Sequence, residues 1–277
     1  MRSHSSWVPA VVAILFGCDG GTLIETEDPT PVPGPPDAVD VEIRTEDLFT
    51  LRATWSEAAA ASRNPAVLLL HQFGPNDDPG CSSGRHDRRD FDPVVGNFVA
   101  EGISVLALDF RDHGASDASD IVSTCNLLSD SDHLPLDVQA AIDWLQERPL
   151  VVGREQIGVV GISVGANLAL TTANRSRGGS PDWGGRGFVA VSARRDRAED
   201  FDPQGDESLR IDNTLFVVAE DEQPQADQNQ EMYDENIFFG ASNELLFRPG
   251  DAHGAELLAA DEVVQARMVD WFVDLWM

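Results

Sequence analysis

The run Gly161-Ile162-Ser163-Val164-Gly165 sets a serine between two glycines, at the junction of an apolar stretch and a segment rich in helix formers. A serine hydroxyl is a poor nucleophile unless a base takes its proton and nearby donors receive the charge that develops. A sharp strand-to-helix turn presents it to both, and the glycines permit that turn because a Cβ at either flank would meet the neighbouring strand or helix. The plainer role for such a serine is to cap the helix that follows. A base and an acid are the next requirement. Histidine is the commonest base, and His253 is the histidine that lies beyond both the serine and a later acidic cluster. Of the others, His71 and His113 sit at strand ends, His86 in an Arg/Asp-rich loop, His133 near a helix start and His4 in the leader. Three adjacent carboxylates, Glu220, Asp221 and Glu222, follow another apolar run, where an acid could accept a hydrogen bond from His253 and fix its tautomer.

Rigid elements must hold these side chains. Gln156–Ile162 is short, apolar and rich in β-branched residues, as a strand buried on both faces should be, and the helix former run Ala166-Asn167-Leu168-Ala169-Leu170 continues from it. Val39–Arg44 and Phe49–Trp55 alternate like a half-exposed antiparallel hairpin, while Ala66–Leu70 and Ile103–Leu108 read as central strands. Helical patterns cover Pro93–Glu101, Leu136–Glu147, Val164–Ala173 and Val263–Trp276; further strands are expected at Phe188–Ala193, Leu215–Ala219 and Leu245–Phe247. Eight strands with helical crossovers predict an α/β fold whose mostly parallel sheet is covered on both faces. About twenty residues, Arg194 to Asn213, separate the sixth and seventh strands, so no large lid is expected there.

The 277 residues carry 19 basic and 48 acidic side chains for a formal charge of -29, and every basic residue is arginine. So acidic a surface repels nucleic-acid phosphates, and no nucleic-acid partner is expected. Hydrophobic residues make up 42%, enough for one sizeable domain with an ordinary core. Arg2 followed by the apolar Trp7–Phe16 reads as a signal segment too short to span a bilayer, and Leu15-Phe16-Gly17-Cys18 as a lipobox that would leave Cys18 acylated. Phe16 is larger than such boxes usually carry, which keeps ordinary secretory cleavage or an uncleaved anchor as alternatives. The expected organisation is a lipoprotein signal peptide over residues 1–17, an acylated Cys18 and a Pro-, Gly- and acid-rich tether over 18–38, and the folded domain over 39–277. That arrangement lipid-anchors the domain to the membrane of a bacterial cell envelope, outside the cytoplasm. In an exported protein the two other cysteines, Cys81 and Cys125, are candidates for a disulfide, against the alternative of two free thiols.

Two clusters could be imagined to hold a cation: His86, Asp87, Asp90 and Asp92, or Asp130, Asp132 and His133. Neither has the glycine-punctuated spacing of a calcium loop, and no metal is expected. Arg85, Arg88 and Arg89 read as charge balance on an acidic surface rather than as substrate contacts.

Five landmarks follow one another from residue 40 onward: Leu70-His71-Gln72-Phe73-Gly74, Asp109-Phe110-Arg111-Asp112-His113-Gly114-Ala115-Ser116, the serine turn, Glu220-Asp221-Glu222, and Asp251-Ala252-His253-Gly254. In this order they resemble the α/β-hydrolase superfamily, and within it the small, lidless, dienelactone-hydrolase-like branch. The chain departs from that pattern at Asp112, where the family more often has glycine, and in offering a glutamate where its acid is usually aspartate. The resemblance implies a serine hydrolase without cofactor, cleaving a small-molecule carboxylic ester or lactone through an acyl-enzyme on Ser163, with His253 as base. The family's G-x-x-D register selects Glu222 if Ala219 is its first position, and Asp221 if the count starts nearer the strand. Val164, at a helix N-terminus, and Phe73, by its place in the first landmark and with Gln72 as the near alternative, would donate backbone N–H groups to the oxyanion. An acyltransferase on the same fold and a non-catalytic envelope-binding lipoprotein are the rival readings.

Overall fold

The computed structural model describes residues 38–59, 63–74, 86–118, 130–149, 151, 153–177, 186–201, 211–237 and 242–276. Cys18, Cys81, Cys125 and Arg85 lie outside these residues, as do the segments 1–17, expected as a signal peptide, and 18–37, expected as most of a tether. Eight strands form one sheet in the order β1-β2-β4-β3-β5-β6-β7-β8. β1 (Val39–Arg44) and β2 (Thr50–Ser56) make the antiparallel hairpin expected from their alternation, and β2 also runs antiparallel to β4 (Ser104–Asp109). The rest of the sheet is parallel: β3 (Ala66–Leu70) lies between β4 and β5 (Ile157–Ile162), followed by β6 (Gly187–Val191), β7 (Thr214–Ala219) and β8 (Glu244–Arg248).

Parallel strands need crossovers, and the helices supply them on both faces. One face holds α1 (Asp92–Ala100) and later α6 (Ala255–Ala260) and α7 (Glu262–Trp276); the other holds α2 (Leu134–Gln146), α3 (Val164–Arg177), the short α4 (Arg195–Asp200) and α5 (Gln225–Ile237). Strand β3 shows why two cores result. Leu68 and Leu70 join the core under α2 and α3, while Val67 and Leu69 point through the sheet to Phe98 of α1 and Phe272 of α7. Each such fully buried side chain contributes about 1.5–3 kcal/mol of transfer free energy.

Boundaries shift where local chemistry outweighs pattern. Helix α2 begins at Leu134 rather than Leu136 because Pro135 fits the first turn, where its missing N–H costs nothing. Strand β6 stops at Val191 rather than Ala193 because Ser192 turns to φ 56°. At the end of β4, Arg111 is buried against the equally buried Asp137 of α2, with Nη2 to Oδ1 at 2.6 Å, which fixes the following loop. Asp112 in that loop takes φ 62°, the left-handed conformation that glycine adopts without cost.

Among the described residues no helix is long and apolar enough to cross a membrane.

Candidate active site

Strand β5 ends at Ile162, Ser163 takes φ 52°, and α3 starts at once with Val164. A non-glycine residue in that region costs about 1–2 kcal/mol, and its neighbours hold it there. Ser163 N–H donates to Val191 O at 2.9 Å, and Asn167 N–H donates to Ser163 O at 3.0 Å. The two glycines are needed for the close approach: a Cβ on Gly161 would collide with the Gly165 carbonyl, and one on Gly165 with the Leu70 carbonyl at the end of β3.

The acidic cluster lies beyond β7. Glu220 and Asp221 continue the ladder, donating backbone N–H groups to Arg248 O at 2.8 Å and Gly250 O at 2.9 Å, with both side chains exposed. The chain then turns, Glu222 N–H reaching back to Ala219 O at 3.2 Å, and the third carboxylate swings inside. Glu222 Oε1 lies 2.6 Å from His253 Nδ1. Asp221, the other candidate acid, is left on the surface. With a carboxylate facing it, Nδ1 carries the proton and donates, so Nε2 is the nitrogen able to accept one. Ser163 and His253 line the same cleft of about 360 Å³, with no hydrogen bond between them.

Ser192, unnoticed in the sequence, sits at the centre of this arrangement. Its hydroxyl donates to Glu222 Oε2 at 2.7 Å and accepts from Gly254 N–H at 2.9 Å, so it holds the acid and the histidine loop together. A serine after a strand has no pattern of its own, and its positive φ, which aims the hydroxyl, is not legible in composition. Arg194 and Arg197 also line the cleft and were likewise missed, whereas Arg88 and Arg89 do not reach it. Arg88 pairs with Asp109 and Asp40 and Arg89 with Asp87, around a separate cavity of about 520 Å³ whose lining, among the described residues, holds no serine, cysteine or histidine.

Phe73 and Val164 flank Ser163 in the cleft, and neither backbone N–H takes a partner among the described residues. The turn carrying Phe73 is fixed from below by His71, which is fully buried. Its Nδ1–H donates to Gln72 O at 2.6 Å and its Nε2 accepts from Phe110 N–H at 3.2 Å, a pattern that only the neutral ring can make. Burial lowers its pKa from 6.5 to about 3, with the neighbouring His113 adding to the shift. Burial lowers His113 as well, and its ring stacks on Phe73 at 4.1 Å.

The two imagined cation clusters turn out to be carboxylate–imidazole pairs. His86 Nδ1 meets the Asp90 carboxylate at 3.0 Å and His133 Nδ1 the Asp130 carboxylate at 2.9 Å. Among the described residues no group of three or more histidine, cysteine or acidic side chains is arranged to hold a metal.

Comparison with solved structures agrees with the topology. A Pyrococcus furiosus esterase superimposes with a TM-score of 0.61 at 20% identity, over 87% of this chain and 91% of that one. A dienelactone hydrolase from Anabaena variabilis gives 0.62 at 19% identity over 87% and 98%. A Xanthomonas campestris protein described as an α/β serine hydrolase without lid gives 0.60 at 15% identity over 90% and 98%. No family model and no curated protein matches the sequence. The chain has the α/β-hydrolase fold, and its serine turn stands at the carboxyl end of the parallel strands, where open α/β sheets build their sites.

Proposed function

We propose that the protein is a serine hydrolase that cleaves carboxylic esters or lactones. The observation that carries this reading is the convergence of three separate segments: Ser163 on its strained turn and His253 lining one cleft, and Glu222 bonded to His253 at 2.6 Å. In the proposed reaction His253 Nε2 takes the Ser163 proton as Oγ attacks the substrate carbonyl. Glu222 holds the imidazole in the required tautomer and stabilises the imidazolium. The N–H groups of Phe73 and Val164 receive the oxyanion, with the N-terminus of α3 adding its dipole. Collapse of the tetrahedral intermediate expels the alcohol with the proton from His253. Water activated by the same histidine then releases the acid. The esterases and dienelactone hydrolase among the structural neighbours support this class of reaction.

A cleft of about 360 Å³ lies near the lower end of small-molecule sites, which favours short or modest acyl groups. Ser163→Ala should abolish turnover of p-nitrophenyl acetate, with kcat falling by several orders of magnitude while the thermal unfolding curve stays close to wild type. Undiminished turnover in the folded variant would remove the mechanism. We further propose that Cys18 is the acylated residue and that residues 18–38 tether the domain to the membrane, on the strength of the leader and the proline-rich run behind it.

A further inference from the structure

A second carboxylate–imidazole pair borders the same cleft, and the mechanism above does not use it. His86 lines the cleft with Ser163 and His253. Its Nδ1 lies 3.0 and 3.1 Å from the two Asp90 carboxylate oxygens, and its Nε2 lies 3.0 Å from Gln72 Nε2. Gln72 Oε1 in turn accepts from the backbone N–H of Ala255 at 2.8 Å. Chemistry fixes the direction of every link. A backbone N–H only donates, so the oxygen of the Gln72 amide must face Ala255 and its NH₂ must face His86. An NH₂ also only donates, so His86 Nε2 is the acceptor and the ring proton sits on Nδ1, towards Asp90. The chain therefore runs from Asp90 through His86 and Gln72 to the residue two beyond His253.

Packing shows that this contact is built in. Gln72 is buried, and a Cβ added to Gly254 would collide with Gln72 Oε1 and crowd the Ile162 side chain. Gly254 and Ala255 thus have successive N–H groups held from opposite sides, one by Ser192 at the end of β6 and the other by Gln72 at the end of β3. Residue 72 also precedes the proposed oxyanion donor Phe73. A single side chain couples the turn that receives the oxyanion to the loop that carries the base.

We infer that Asp90, His86 and Gln72 form a positioning relay that sets the placement of His253 relative to Ser163. This rests on the hydrolase reading for its consequence in catalysis, but not for the contact itself. Misplacement of a base by about 1 Å can cost on the order of a hundredfold in rate.

The test is a set of four variants of the full folded domain: Gln72→Leu, His86→Leu, the double variant, and His86→Gln, whose amide oxygen can replace Nε2 as acceptor. Two readouts are taken, p-nitrophenyl acetate kinetics and hydrogen exchange of the Ala255 amide. Either leucine variant should lower kcat by about tenfold or more with KM changed less than about threefold. The double variant should be no worse than Gln72→Leu alone, because the links act as one unit. His86→Gln should recover most of the rate. Ala255 protection should fall in both leucine variants and return in His86→Gln. Unchanged kcat and exchange in the leucine variants, multiplied losses in the double variant, or no recovery with glutamine would each overturn the relay. A wild-type protein that hydrolyses nothing would overturn the hydrolase reading alone, since Ala255 exchange still decides the relay. Gln72→Met serves in place of Gln72→Leu if the latter does not fold.

Discussion

Glu222 and Asp221 are neighbours in sequence with the same charge and nearly the same reach, yet their surroundings divide them. Glu222 is buried, one carboxylate oxygen accepting from His253 Nδ1–H and the other from the Ser192 hydroxyl. Asp221 faces solvent. Replacing Glu222 by glutamine leaves the size unchanged but puts an NH₂ against either a donating Nδ1–H or the Ser192 hydroxyl. The first orientation drives the imidazole towards the wrong tautomer, the second leaves the Ser192 hydroxyl without its acceptor, and both remove the charge that stabilises the imidazolium. Glu222→Gln should lose kcat by about three to four orders of magnitude, while Asp221→Asn should stay within about twofold of wild type. Steady-state kinetics of the two purified variants decides between them, and a dead Asp221→Asn beside an active Glu222→Gln would reverse the assignment. The sequence had narrowed the acid to these positions but could not choose, because the choice turns on the backbone reversal at Ala219 to Glu222. Ser192 and the side chain of Gln72 were invisible for a related reason: their importance lies in which loops they join, across 62 and 183 residues of chain respectively.

The elements differ in how plainly their own residues declare them. β3 and β5 are continuous apolar runs, β7 is one after its first residue Thr214, and every residue in the three is buried. α7 repeats its buried Val264, Met268 and Phe272 at helical spacing. α5 was missed because its inner face is partly polar. Ala226 and Met232 share that face with Asn229 and Asn236, whose side chains bond backbone groups: Asn229 Nδ2 donates to Ala193 O at 2.8 Å and Asn236 Oδ1 accepts from Ile211 N–H at 2.9 Å. Read as a pattern, Gln225–Ile237 is simply hydrophilic.

The β3 end offers a test at this scale. Burial holds His71 neutral, with a folded-state pKa of about 3 against 6.5 when exposed. Between those values the unfolded chain binds a proton that the folded chain does not, so the stability contributed by the neutral ring is present above about 6.5 and is lost as pH falls. Urea unfolding of wild type and His71→Asn at pH 7 and pH 4.5 should show wild type losing more, by up to about 1.4 kcal/mol per pH unit. Parallel pH dependences would show that His71 is not held neutral.

At the scale of the whole molecule, the proposed export and lipid anchoring through Cys18 can be tested directly. Produced in a bacterial host, the full-length protein should incorporate labelled palmitate and partition into detergent, and Cys18→Ser should do neither. Equal labelling of both forms would remove the lipoprotein assignment.

The central claim is that Ser163 is the nucleophile of an ester hydrolase, and a covalent probe reads it most directly. Wild-type domain treated with a fluorophosphonate should gain one adduct, located by peptide mass spectrometry on the segment containing Ser163, and His253→Ala should react far more slowly. An adduct on another residue, or none under conditions where a known serine esterase is fully labelled, would contradict the account.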